Sequence, residues 1–186
     1  MTAVKIINLT VFLLLCTALS AQKGFYVSAA TGMGFNSGLK LNGEPVSGSI
    51  ASVSEAASAY NFRLGKNLFA ETGAGLRMVF AQGQLGDENF STKTTRLVVP
   101  FLIGTNLSDK TGLYAGFTLQ NNRDFADINP HENYFWRSNF IVRFQHKIIE
   151  KIDLFGLANY GFYGVKDSFL LNDPQFFLLC GLRLKI

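Results

Sequence analysis

A chain of 186 residues is expected to form one domain. Its residues are 48% hydrophobic and only 16% charged, below the roughly one quarter usual in soluble domains, and Phe and Gly each occur 18 times. The net charge of +4 is scattered singly, without the basic stripe of a nucleic-acid binder, and two cysteines and two histidines offer no metal-ligand cluster.

Residues 1–21 read as a signal peptide, leaving 22–186 as the mature domain. Lys5 supplies the positive start, Val11 to Cys16 the apolar core, and Thr17, Ala18, Ser20 and Ala21 the small residues before cleavage, after Ser20 or Ala21. The apolar run is short of the roughly 20 residues of a transmembrane anchor. A lipoprotein signal is disfavoured because Leu15, before Cys16, is not small. Cleavage leaves Cys180 as the sole cysteine, with no internal disulfide. No later segment approaches a transmembrane helix. An apolar chain of this kind can then enter lipid only as a closed barrel, which satisfies every backbone polar group internally.

The rest of the chain alternates with period two, the signature of strands. A first strand from Gly24 puts Phe25, Val27, Ala29 and Met33 on one face. A second from Ser54 has Tyr60, Phe62 and Leu64 outward, with Asn61 and Arg63 inward. From Leu68 to Ala81, Leu76, Met78 and Phe80 share one face, and Glu71 and Arg77 the other. The strand from Thr94 turns Leu97, Val99, Phe101 and Ile103 outward and Arg96 inward. Pro100, which lacks a ladder donor, is read as a bulge there. From Gly112, Leu113, Ala115, Phe117 and Leu119 face out, with Thr118 and Gln120 inward. From Tyr134 to Lys147, Phe140, Val142 and Phe144 oppose Arg137, Asn139, Ile141 and Arg143. The segment from Ile152 to Tyr163 has apolar residues on both faces and no clear orientation. The last, Phe176 to Ile186, sets Leu178, Leu182 and Leu184 against Arg183 and Lys185.

Charge fixes which face is which. An Arg turned to lipid at the midplane costs about 2–4 kcal/mol. The polar set Arg63, Glu71, Arg77, Arg96, Arg137, Arg143, Arg183 and Lys185 is therefore expected to face the lumen, where it fills a narrow interior rather than a conduction path. Tyr134 and Trp136 are expected as interfacial aromatics. The result is an all-β, eight-stranded antiparallel up-and-down transmembrane barrel.

Connections are expected to alternate in length. Short turns fall at Gly65-Lys66-Asn67, Ser108 to Thr111 and Glu150-Lys151, and long loops at 36–52, 82–93, 122–133 and 166–175. In an outer-membrane barrel the short turns face the periplasm and the long loops the exterior. The chain resembles the outer-membrane β-barrel family common in Bacteroidetes, the PorT-like group. The resemblance rests on Gly24-Phe25-Tyr26-Val27, Gly73-Ala74-Gly75-Leu76, the proline-centred run Leu97 to Ile103, and Gly112-Leu113-Tyr114-Ala115-Gly116. It implies a barrel in the bacterial outer membrane, roles in secretion or gliding among relatives, and no catalytic residue.

Other constellations read as structural. His146 with Glu150 suggests a lipid A deacylase, but Ile148 stands where the nucleophilic Ser is needed two residues on. His131 reads as a solvated loop residue. Asp124, Asp127 and Glu132, or Asp87 and Glu88, offer hard oxygen ligands for Ca²⁺ without EF-hand spacing. Phe169-Leu170-Leu171 is expected to pack over the barrel mouth. Gly32-Met33-Gly34 and Gly73-Ala74-Gly75 lack the strand–helix unit of a nucleotide loop. The expected function is a non-enzymatic outer-membrane barrel without cofactor or metal. It is expected to be monomeric, solvated by outer-membrane lipid, and in contact with envelope proteins through its long loops. The competing functions are a secreted lipocalin-like binder and a lipid-modifying enzyme.

Overall fold

The computed structural model describes residues 24–35, 40–41, 44–85, 88–121, 136–161 and 176–186. The strands are β1 (Phe25–Phe35), β2 (Lys40–Leu41), β3 (Glu44–Arg63), β4 (Leu68–Leu85), β5 (Glu88–Asn106), β6 (Thr111–Asn121), β7 (Trp136–Ile149), β8 (Ile152–Gly161) and β9 (Phe176–Lys185). Each barrel strand pairs antiparallel with its sequence neighbour, and β1 pairs with both β3 and β9, closing the wall. β2 pairs only with the start of β3 and is not a wall strand. The barrel thus has eight strands and no free edge at its waist, which is what backbone satisfaction in a closed sheet requires.

Alternation sorts the side chains as charge and hydrophobicity demand. Outward positions expose a large apolar residue on every wall strand: Phe25, Ile50, Leu76, Phe101, Phe117, Phe140, Leu154 and Leu178 among them. A soluble monomer rarely exposes so continuous an apolar surface. Inward positions hold Glu71, Arg77, Arg96, Arg137, Arg143 and Arg183, all buried. Small inward residues leave room for these long side chains. Gly104 is one: its register partner is Tyr114, and a Cβ there would run into the Tyr114 ring.

The first strand and both ends of the described chain meet at one rim. Residues 64–67, 107–110 and 150–151 form its short turns. Backbone hydrogen bonds knit neighbouring strands there: Asn106 N–H donates to Asn67 O, Lys147 N–H to Lys110 O, Lys185 N–H to Lys151 O and Ile186 N–H to Phe25 O.

Three expectations are corrected. Pro100 makes no bulge. It pairs with Thr118 in unbroken register, and the β4–β5 ladder merely omits the pairs between Thr72/Phe101 and Gly75/Val98. A missing donor interrupts the ladder without inserting a residue. Register shifts fall instead between Ser47 and Ile50 and between Lys147 and Ile149, near the rims. The supposed loop at 82–93 is mostly strand, since β4 and β5 stay paired up to Leu85↔Glu88. Likewise 36–52 is largely the start of β3. Long–short alternation of loop length therefore fails at that hairpin; its length lies in strands of 18–20 residues rather than in a loop. The segment from Ile152 has a definite orientation: Asp153, Phe155, Leu157 and Asn159 are buried and Leu154 and Tyr160 exposed. Expectations on 1–21, 122–133 and 166–175, on His131, on Tyr134 and the Trp136 side chain, and on the acidic sets and Phe169-Leu170-Leu171 lie outside the described residues.

Candidate functional site

The polar interior is organised around two carboxylates. Glu71 on β4 reaches across the lumen. Arg143 on β7 grips it in a bidentate pair, with Nη1 at 2.6 Å from Oε1 and Nη2 at 2.8 Å from Oε2. Arg183 on β9 donates to Oε2 at 2.5 Å and, through Nη1, to Gln145 Oε1 at 3.0 Å. Each guanidinium also lies over an aromatic ring: Arg143 over Tyr114 at 4.5 Å and Arg183 over Tyr26 at 3.7 Å. A planar fork that meets a carboxylate edge-on and a ring face-on uses all that Arg offers and Lys lacks. Three strands spaced around the wall are thereby tied through the lumen by side chains alone.

Farther from the short turns, Arg77 on β4 donates to Glu55 Oε2 on β3 from Nε at 2.9 Å and Nη2 at 2.7 Å, and to Gln120 Oε1 on β6 at 2.7 Å. Its guanidinium lies 4.4 Å from the Phe177 ring centroid. Arg96 is its register partner across β5, and Arg137 is that of Gln120 across β7. Between and beside these charges pack Val53, Val79, Leu102, Ile141, Phe177 and Leu179. The interior is a filled core with charges embedded in it. Burying such charges is tolerable only where partners replace water.

Arg63 and Lys185, expected in the lumen, hold inward register but stand exposed at the mouth on the short-turn side. Arg63 is held there by Gly65 O and Lys66 O, at 3.0 and 3.1 Å. The strands end at this point, so inward parity no longer means burial. The mouth is a cavity of about 500 Å³ to which all eight wall strands contribute, from Tyr26 on β1 to Lys185 on β9. Its side wall includes Asn61, whose Nδ2 donates to Tyr114 Oη at 3.1 Å.

His146 is exposed on the outer face of the same rim, its Nδ1 3.1 Å from Thr111 Oγ1. Among the described residues no acid orients the ring, so the pair is a cross-strand contact without the geometry of a triad. Ile148 is exposed beside it. No group of three or more His, Cys, Asp or Glu with metal-site geometry occurs among the described residues.

Sequence reasoning missed Glu55 and Asp153, and it placed Gln145 inward without a partner. Glu55 was legible: it lies six residues before Asn61 and shares its inward parity. Asp153 was legible as well: it shares its parity with Asn159, and the charge argument applied to it gives the inward face. Gln145 was inward by parity, but nothing local marks it as an Arg183 partner.

No family model and no curated protein sequence matches the chain. Among solved structures, the outer membrane protein OprG from Pseudomonas aeruginosa is similar over 89% of this chain and 97% of that one, at 12% identity and a TM-score of 0.44. The translocator domain of the autotransporter NalP from Neisseria meningitidis is similar over 99% of this chain and 96% of that one, at 10% identity and a TM-score of 0.36. At such values the likeness carries no inference about function.

Proposed function

We propose that this chain is a non-enzymatic integral protein of the bacterial outer membrane with a closed lumen. It serves as a rigid anchor for its far rim, where it meets other components of a surface or secretion assembly. The observation that carries the reading is its inverted polarity: apolar side chains cover the outside of a closed wall, and bridged charges fill the inside. A bilayer solvates the first, and the ion pairs across the lumen offset the burial of the second. A lipocalin-like soluble binder has the opposite arrangement.

β3, β4 and β5, at 20, 18 and 19 residues, are nearly twice the roughly 9–11 residues of a membrane-spanning strand. The paired sheet they form past the wall supports a role at that rim, on the exterior if the short turns face the periplasm. Removal of 1–21 by signal peptidase and kinship with the PorT-like group complete the reading; both rest on the sequence patterns.

Cell fractionation with carbonate washing tests residence: the protein should stay with outer membranes and migrate differently before and after heating. Recovery in the soluble periplasm would overturn the proposal. In planar bilayers the purified barrel should show no steady open-pore current. Stable ohmic conductance would refute the closed lumen.

A further inference from the structure

The mouth on the short-turn side holds two acceptors that lack donors. Asp153 is only 8% exposed and lines the cavity, yet among the described residues its carboxylate has no hydrogen bond and no ion pair. Its register neighbours are Lys147 and Arg183. Arg183 is turned away: both its terminal nitrogens are committed, to Glu71 and Gln145, and its plane lies on Tyr26. Lys147 is exposed at the rim. The second acceptor is Asn61 Oδ1, buried without a hydrogen-bond partner while the amide nitrogen serves Tyr114. Asn61 Oδ1 is buried without a donor and the Asp153 carboxylate opens onto the cavity without one, so an occupant that brings N–H groups is favoured at both. Around the entrance Lys110, Lys147, Lys185 and Arg63 are exposed beside Asp109 and Glu150, so cations are in excess there.

We propose that this mouth binds a small zwitterion of the short-peptide class. The ligand's ammonium sits on Asp153, its amide N–H on Asn61 Oδ1, and its carboxylate among the three lysines at the entrance. The cavity of about 500 Å³ lies within the range of roughly 300–1,000 Å³ found for small-molecule sites. The Glu71–Arg143–Arg183 lattice crosses the lumen as the floor beneath it, so the site holds its ligand at the mouth without passing it through the barrel. The site is defined by the mouth's own residues and stands whichever compartment that mouth faces.

The test is calorimetric titration of the refolded full chain in detergent with three probes: tri-alanine, N-acetyl-tri-alanine and tri-alanine amide. Tri-alanine should bind saturably. Acetylation, which removes the ammonium, and amidation, which removes the carboxylate, should each weaken binding about tenfold or more. Asp153→Asn should weaken tri-alanine by a similar factor and erase its advantage over the acetylated probe. Absence of saturable tri-alanine binding would overturn the proposal, as would equal binding of tri-alanine and either modified probe. The probe comparison on the unaltered chain decides the matter even if the variant fails to refold. None of these outcomes bears on membrane residence or conductance, which are measured separately.

Discussion

The inner and outer faces of the wall are made by the same strands, and they handle charge in opposite ways. On β7, Arg137, Asn139, Ile141 and Arg143 are buried inside, while Phe140 and Phe144, one residue away, are exposed outside. A guanidinium outside would face hydrocarbon with nothing to pair with. Inside, Arg143 finds Glu71 and the Tyr114 face within hydrogen-bond and cation–π reach. The difference lies in the company each face provides, and not in burial as such. An inward residue is surrounded by seven other strands that can supply a partner. An outward one meets only its wall neighbours and the bilayer.

The sharpest way to break this contrast is to remove the inner partner. Glu71→Ala leaves Arg143 and Arg183 buried without their shared carboxylate. It should cost about 3–5 kcal/mol in reversible urea unfolding of the lipid-refolded barrel. A loss under 1 kcal/mol would show that the lattice is incidental to stability. The converse change places the charge outside. Phe117→Arg, on the exposed face of β6, should cost about 2–4 kcal/mol in the same assay if that position lies near the bilayer midplane. A neutral result there would argue that this face is not covered by lipid. The smallest effect is expected from Glu55→Ala. Its side chain is 15% exposed, so water reaches the site, and Arg77 keeps Gln120 as a partner. A loss of about 1–2 kcal/mol is expected. A cost equal to that of Glu71→Ala would show that the two interior carboxylates are equivalent after all.

Within the described residues, the orientation of most strands was legible because it needs only local information. Period two assigns each residue to a face, and one charged residue per strand is enough to say which face is inside. Arg96, Arg143 and Arg183 sufficed for β5, β7 and β9. The strand from Ile152 read as unoriented because Phe155 and Leu157 are apolar and inward, packed among Leu179, Ile141 and Tyr114 in the core. Yet Asp153 and Asn159 share their parity, and the charge argument applied to Asp153 gives the observed orientation. A barrel filled by side chains needs apolar packing as well as paired charge, and apolar residues on both faces mask the one charge that orients the strand. The loop at 82–93 was misread for a related reason. Its polar composition suits a solvated loop and a solvated strand pair equally, and only the long β4–β5 register separates them.

By itself, then, the sequence determined the alternation, the strand count and the side on which the charges lie, since these follow from spacing and from the cost of charge in lipid. Only the tertiary structure decided who meets whom. Glu71 lies 72 residues before Arg143 and 112 before Arg183, and their meeting depends on closing β1 against β9 and on the register of every ladder between. The same closure brings Asn61 and Asp153 to one mouth from opposite halves of the chain. Parity is a property of a strand, and a partner across a lumen is a property of the closed wall.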